Sequence, residues 1–289
     1  MAFSGTEYLR SVPGYGDRLP ANITGNYLVV TGAGWSSITD ITTMTTSSYT
    51  TASGVYPAGG SDIVNGSAIW ISSVYPNAYI EGLTVPGGVS TYTYIGARDT
   101  FHDVNLCGAG DYVAVGSSWR LKVSTWAWTG DATWSSVADL ARHARVGSTI
   151  YNVDASKQIR TINPTANTYS AVLHTLSRLP ALGRGATIGN TVHFIVDAST
   201  RLTWDSVSGV ETVWSLTPSG APGASYHVAG GDGYLYSFVD HDYGLVVDPA
   251  TGRWAKEAWP TSRVYRTAVS IAAGGGKVWV AASDPNPWP

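Results

Sequence analysis

The sequence predicts an all-β fold, a seven-bladed β-propeller, from three observations. The composition is rich in glycine and aromatic residues, with 33 Gly, 12 Trp and 17 Tyr among 289 residues, and this favours short strands joined by many turns. A short unit recurs along the chain, and an aromatic marker keeps the same period. A chain of this length can form one large all-β domain, so we expect a single domain over residues 1–289.

The recurring unit is a tight turn that contains glycine and precedes a run of β-forming residues. It occurs seven times, at Gly25, Gly66, Gly110, Gly147, Gly189, Gly233 and Gly276. Subtracting successive positions gives steps of 41, 44, 37, 42, 44 and 43 residues. A period of about 40 to 50 residues with several strands per unit is typical of propeller blades.

The aromatic marker precedes each of the last six glycines, at Tyr49, Tyr94, Trp134, Tyr169, Trp214 and Trp254. Together the two markers predict four strands per blade. One strand leads into the glycine turn, its hairpin partner follows, a third comes next, and the fourth carries the aromatic. Residues 163–167 and 248–252 combine Pro with Asn or Gly, as tight turns between third and fourth strands do.

The chain ends predict how the ring closes. Tyr8 lies 17 residues before Gly25 and belongs to a strand with no earlier blade to join. We therefore expect the N-terminal segment, residues 1–24, to supply the outer strand of the last blade, which removes an open sheet edge. Residues 283–289 are predicted to be a Pro-rich tail.

Two stretches resemble the kelch type of propeller repeat. Residues 134–143 followed by 147–151 are similar to the kelch run from a blade-end Trp to the next Gly-hydrophobic-Tyr strand, and residues 247–254 resemble its Asp-Pro-x-Thr-x-x-Trp segment. The resemblance implies an interaction scaffold. One branch of that family, the copper-radical oxidases, uses a Tyr–Cys crosslink. Cys107 lies just before a turn without an accompanying Tyr/His copper set, so no cofactor is expected.

Charge and motifs exclude several function classes. A net charge of −3 and a pI of about 6.0 give no basic surface for nucleic acid. Without a run of 18 apolar residues or a signal peptide, we expect neither membrane insertion nor secretion. No specific catalytic motif is present. Asp240, His241 and Asp242 could ligate a divalent ion, but such clusters are more often turn formers, and no metal is predicted.

A candidate ligand site lies where the innermost strands begin, at the mouth of the central channel. Arg, Asp and His side chains there would bind an anionic or sugar ligand through bidentate hydrogen bonds. The alternative is that these groups satisfy one another and nearby loop carbonyls. The residues are Asp62, His102, Asp103, Arg142, His143, Arg184, Tyr226, His227 and Arg266.

These features favour a non-catalytic interaction module, most consistent with a virion component such as a bacteriophage tail or adhesion protein. Only four of the 17 basic residues are Lys, a bias typical of GC-rich genomes. The expected partners are other virion proteins and a host-surface glycan. The expected location is the virion, or otherwise the cytoplasm.

Two alternatives stay open. One is a carbohydrate-binding propeller that uses the channel mouth or exposed tryptophans. Trp126 and Trp128 fall on the polar face of the alternating stretch 121–128, although packing in the core is favoured for them. The other is a polysaccharide-acting enzyme, with Asp103 or Asp62 as acid/base beside a channel His or Arg.

Overall fold

The computed structural model describes residues 21–32, 34–50, 56–74, 76–97, 104–130, 140–224, 226–230, 232–239, 243–258, 267–274 and 277–283. Throughout these ranges the regular structure is β-strand, with no helix. The strands form small antiparallel sheets in a propeller arrangement. The all-β prediction is confirmed.

Six of the sheets contain four or more strands each, and we number them as blades 1 to 6. Blade 1 contains β1 (Ala21–Thr24), β2 (Tyr27–Gly32), β3 (Trp35–Asp40) and β4 (Thr45–Thr50). Blade 2 contains β5 (Tyr56–Val64), β6 (Ser67–Val74), β7 (Asn77–Thr84) and β8 (Ser90–Ala97). Blade 3 contains β9 (Leu106–Ala109), β10 (Tyr112–Val115), β11 (Trp119–Lys122) and β12 (Ala127–Thr129).

Blade 4 is the largest, with β13 (Arg142–Val146), β14 (Thr149–Val153), β15 (Gln158–Asn163) and β16 (Thr168–Tyr169). It also includes β17 (His174–Thr175), which pairs with β15, and β18 (Gly183–Arg184), which runs parallel to β13. Blade 5 contains β19 (Ala186–Ile188), β20 (Thr191–Ile195), β21 (Thr200–Asp205) and β22 (Glu211–Ser215). Blade 6 contains β23 (Tyr226–Ala229), β24 (Leu235–Phe238), β25 (Tyr243–Val247) and β26 (Trp254–Ala258).

A seventh sheet contains two strands within the described ranges, β27 (Thr267–Gly274) and β28 (Lys277–Ser283). It packs between the two ends of the blade series. On one side Ile271 and Val278 pack against Tyr236 of blade 6. On the other side Trp279 packs against Leu28 of blade 1, and β27 contacts β1.

The glycine turns join the first and second strands of the blades, as predicted. Gly25, Gly110, Gly147 and Gly189 each occupy the first position of a two-residue turn. Their φ angles lie between 53° and 60°, a region that favours glycine because it has no Cβ. This conformation suits the tight hairpins that a twisted sheet requires.

The aromatic marker also falls where it was predicted, on the outermost strand of its blade. Tyr49, Tyr94, Tyr169, Trp214 and Trp254 lie on β4, β8, β16, β22 and β26. Trp134, the closing segment up to residue 20 and the tail beyond residue 283 lie outside the described residues.

Apolar clusters between neighbouring blades hold the arrangement together. Inner strands such as β2, β9 and β20 bury successive residues and therefore side chains on both faces, because they pack against neighbouring blades. Between blades 2 and 3, for example, Ile69, Ile71 and Ile80 pack against Val113 and Leu121, all fully buried. No helix within the described ranges is long and apolar enough to cross a membrane.

Candidate functional site

The innermost strands approach each other closely where they begin. The first strand of each blade contacts the first strand of the next, for example β5 with β9 and β9 with β13. Gly60 N–H donates to Val104 O over 3.0 Å, and Gly185 N–H donates to His143 O over 2.7 Å. Polar groups from several consecutive blades are therefore brought within hydrogen-bonding distance of one another.

A buried carboxylate lies at the centre of this region. Asp62 of β5 has a side chain only 3% exposed and accepts four hydrogen bonds. Oδ2 accepts from Gly108 N at 2.8 Å and from Arg145 at 3.2 Å, and Oδ1 accepts from Ile63 N at 2.9 Å and from Arg184 at 3.1 Å. We call Asp62, Gly108, Arg145 and Arg184 the axial cluster. It joins the inner strands of blades 2, 3 and 4 to Arg184 of β18, which leads into blade 5.

Gly108 contributes its backbone, and the contact leaves no room for a side chain. Its N–H donates to Asp62, while its carbonyl accepts from Arg145 over 3.2 Å. A Cβ at this position would lie 1.9 Å from Val64 Cγ2 and 3.5 Å from Asp62 Oδ2. Glycine is therefore required sterically here, because β9 of blade 3 packs directly against Val64 and Asp62 of blade 2.

The arginines determine the charge state of the carboxyl. Burial alone would raise the pKa of Asp62, but the guanidinium groups of Arg184 and Arg145 and the backbone N–H donors outweigh it. The pKa of Asp62 therefore lies below its ordinary value. In turn the Asp62 carboxylate raises the pKa of Arg184, so that the pair is ionised at neutral pH.

Two neighbouring titratable groups are held neutral. Burial, followed by the nearby Asp62 charge, raises the pKa of the Cys107 thiol to about 12. Burial, followed by the charge of Arg184, lowers the pKa of His143 to about 4. Its Nδ1 lies 2.8 Å from Leu140 O, so Nδ1–H is the donor in the neutral ring. Neither a thiolate nor an imidazolium is present here at neutral pH.

The arginines differ from Asp62 in their access to solvent. The side chain of Arg145 is 27% exposed and that of Arg184 is 38% exposed. Each of the two arginines reaches Asp62 through its terminal nitrogen Nη1. The structure gives Nε and the second terminal nitrogen of each no acceptor among the described residues. Each guanidinium therefore keeps an edge that has no acceptor among the described residues, on a side chain that is partly exposed.

The predicted site residues fall into four groups. Asp62 and Arg184 meet directly, and His143 is buried beside them. Arg142 points elsewhere, since its Nε donates to Pro180 O over 2.6 Å. Tyr226 and His227 lie on β23, and their side chains are not described. His102, Asp103 and Arg266 lie outside the described residues, as do Asp240, His241 and Asp242 of the loop considered for metal binding.

Gly108 and Arg145 are the members of the axial cluster that the sequence did not predict, and Arg145 is the charged one. It lies two positions after His143 on β13, so the two side chains share one face of the strand. That alternation was visible in the sequence. The missing information was how far an arginine can reach, because Arg145 extends from blade 4 past blade 3 to Asp62 of blade 2.

A second polar cluster connects the outer strands of blades 4 and 5. His174 Nε2 lies 2.8 Å from Glu211 Oε2, and the Ser177 hydroxyl and backbone N–H donate to the same carboxylate. Burial raises the pKa of Glu211, but the donors from Ser177 and His174 lower it more, and the net shift is downward. The serine contacts the carboxylate rather than the imidazole, so this is not the arrangement of a nucleophile and its base.

Exposed apolar side chains lie on the outer strands and their adjoining turns. In blade 2, Tyr92 and Tyr94 are 50% and 57% exposed, and the Tyr79 ring contacts both edge-on at centroid distances of 6.1 and 5.9 Å. Within the described part of the chain, no three His, Cys, Asp or Glu side chains are grouped as a metal ion would require.

Comparison with known protein families finds no family model that matches the chain, and comparison with curated proteins finds no significant match.

Proposed function

We propose that this chain is a seven-bladed β-propeller that acts as a non-catalytic interaction module, as a tail or adhesion component of a virion. The seventh blade and the closed ring are supported by the position of β27 and β28, which contact both blade 6 and blade 1. In this proposal the N-terminal segment completes the last blade. Deletion of residues 1–12 should then lower thermal stability and solubility, and an unchanged truncated protein would contradict the strand exchange.

The distribution of exposed apolar side chains carries the proposal of an interaction module. The large apolar side chains that are well exposed lie on the outer strands, their turns and the segment that joins blades 4 and 5. They are Val89, Tyr92 and Tyr94 in blade 2, Tyr169, Val172, Leu173, Leu179 and Leu182 in blade 4 and after it, and Val207, Val210 and Val213 in blade 5. Apolar side chains clustered on a surface are typical of contact sites for other proteins.

The His174–Glu211 contact joins the two chain segments that carry two of these side chains. Leu173 is adjacent to His174 in the chain, and Val210 is adjacent to Glu211, so the 2.8 Å contact brings the two apolar positions into one region. This region, the rim of blades 4 and 5, combines exposed apolar area with a fixed backbone. Such a surface can bind a partner without ordering a loop, which lowers the entropic cost of association.

The state of the axial groups supports a structural role for them. A general acid needs a proton near neutral pH, but the lowered pKa of Asp62 keeps it ionised. Its four hydrogen bonds occupy both oxygens. This arrangement does not suit the acid/base role considered for Asp62 in a polysaccharide-acting enzyme.

The role in a virion is tested by incorporation into particles. Charged substitutions at the rim, Leu173→Asp combined with Val210→Asp, should reduce the amount of the protein in purified particles at least about tenfold, because a charge in an apolar contact is costly to desolvate. Ala255→Asp, an exposed position on β26 of blade 6, is the matched control. Absence of the wild-type protein from particles, or equal incorporation of the rim variant, would overturn the proposal.

A second candidate function is carbohydrate binding, favoured by the tyrosines of blade 2. Tyr92 and Tyr94 share one face of β8, and Tyr79 braces both rings from β7. Exposed aromatic rings with a polar tip suit the apolar face of a sugar. A glycan array with wild type and with Tyr92→Ala/Tyr94→Ala tests this function. Loss of a signal in the variant supports it, and the absence of any signal with wild type excludes it.

A further inference from the structure

We propose that Arg145 and Arg184 form a binding site for a small oxyanion on the inner face of the propeller. Two guanidinium groups share one carboxylate, so this group of three ionised side chains carries a net charge of +1. The chain as a whole carries −3. The excess positive charge lies beside backbone amides in a partly enclosed place, where electrostatic attraction is screened less than at an open surface.

The free edges of the guanidinium groups give the site its geometry. Nη1 of Arg145 donates to Asp62, to Ile63 O at 3.2 Å and to Gly108 O at 3.2 Å. Nη1 of Arg184 donates to Asp62. Nε and the second terminal nitrogen remain on each residue as a planar pair of donors, and neither pair has an acceptor among the described residues.

The contacts to Asp62 also fix both arginines in position before a ligand arrives. A long side chain that binds an anion normally loses rotamer entropy when it does so. The Asp62 carboxylate has already restricted both arginine side chains, since the Nη1 atom of each lies within 3.2 Å of it. Preorganisation of this kind increases affinity without additional contacts.

The chemistry of the ligand follows from the donors. A guanidinium edge presents two parallel N–H groups, which match two oxygens of a carboxylate or phosphate group. A neutral sugar hydroxyl would bind these donors less tightly than an anion does, because it carries no charge. The same pairs of donors could bind free phosphate or the carboxylate of an acidic sugar, and titration with each anion separates these two sources.

The test is isothermal titration calorimetry on the full chain at low ionic strength. The titrants are inorganic phosphate, glucuronate and, as the neutral comparison, glucose. We expect at least one of the two anions to bind with a dissociation constant of about 1 mM or tighter, and glucose not to bind at the inner face. Binding of glucuronate alone would identify an acidic sugar as the source, and binding of phosphate alone would identify a phosphoryl group.

Variants distinguish a site from a general charge effect. Arg184→Lys keeps a cation for Asp62 but loses the planar pair of donors, and it should weaken anion binding about tenfold while the protein stays folded. Arg253→Ala removes an exposed arginine on another blade and should leave the affinity unchanged. No anion binding by folded wild type, or equal binding by wild type and Arg184→Lys, would overturn the proposal. Particle incorporation depends on the rim and anion binding on the axial cluster, so either proposal can fail without the other.

Discussion

Removal of the Asp62 carboxylate should destabilise the protein more than removal of any exposed acid. In Asp62→Ala, the amide N–H groups of Gly108 and Ile63 lose their acceptor. The bond from Gly108 is buried and the bond from Ile63 is partly buried, and losing both should lower the free energy of unfolding by about 3 kcal/mol. The ion pairs add only about 1 kcal/mol, because Arg145 and Arg184 reach solvent and can turn towards water.

The expected loss in the free energy of unfolding is therefore about 4 kcal/mol, or a fall in Tm of about 7 °C for a domain of this size. Urea denaturation monitored by tryptophan fluorescence measures the former and calorimetry the latter. Asp62→Asn, which keeps one acceptor oxygen, should lose about half as much. Glu257→Gln, an acid on β26, is the control and should change stability by less than about 0.5 kcal/mol.

Two further measurements separate the ion pairs from packing. In a double-mutant cycle, Arg145→Ala should cost less in the Asp62→Ala background than in wild type, because its partner is already absent. Asp62 has a lowered pKa, so its contribution is present above the unfolded pKa of about 4 and is lost as the pH falls through the lower folded value. The reasoning is refuted if Asp62→Ala unfolds within 0.5 kcal/mol of wild type, or if the cycle is additive.

Three other predictions concern Gly108, two buried histidines and Glu211. Gly108→Ala should cost about 3 kcal/mol in urea denaturation, because the new methyl group would meet Val64 Cγ2 at 1.9 Å; a stable variant would show that the inner strands can move apart. His143 and His193 have pKa values of about 4 in the folded protein and about 6.5 in the unfolded chain. Their contribution to the free energy of unfolding is therefore fully present above pH 6.5 and is lost towards pH 4, by about 2 kcal/mol per histidine at pH 5. An unfolding free energy that stays constant over this range would contradict their burial. Glu211→Gln should lower stability by about 1 kcal/mol at pH 7, and the difference from wild type should shrink below about pH 4, as measured by thermal unfolding at both pH values.

The repeat shows how much of the fold was predictable. The period of the glycine turns and of the aromatic marker located six blades and the order of strands within them, since both features are local in sequence. A positive φ at Gly147 and an outer-strand position for Trp214 are each decided within a few residues. Local chemistry of this kind can be predicted from the sequence because no distant contact is needed to specify it.

One stretch shows where local alternation misled. Residues 121–128 alternate as a single strand would, but β11 ends at Lys122 and β12 begins at Ala127. Trp126 adopts a positive φ of 53° in the turn between them. Its ring packs against Gly82 of blade 2, where a Cβ would lie 2.4 Å away. The contact with another blade outweighs the local preference of the tryptophan backbone.

The sequence by itself determined the all-β class, the period of the blades and the polar character of the inner strands, because each of these depends on residues that are neighbours in the chain. Only the tertiary structure decided which of the polar residues meet. Asp62 and Arg184 are 122 positions apart, and Asp62 and Arg145 are 83 apart. Their contact depends on the curvature that brings the inner strands of blades 2 to 4 and β18 side by side, and on the missing side chain at Gly108 that lets β9 pack closely against Val64 and Asp62 of blade 2.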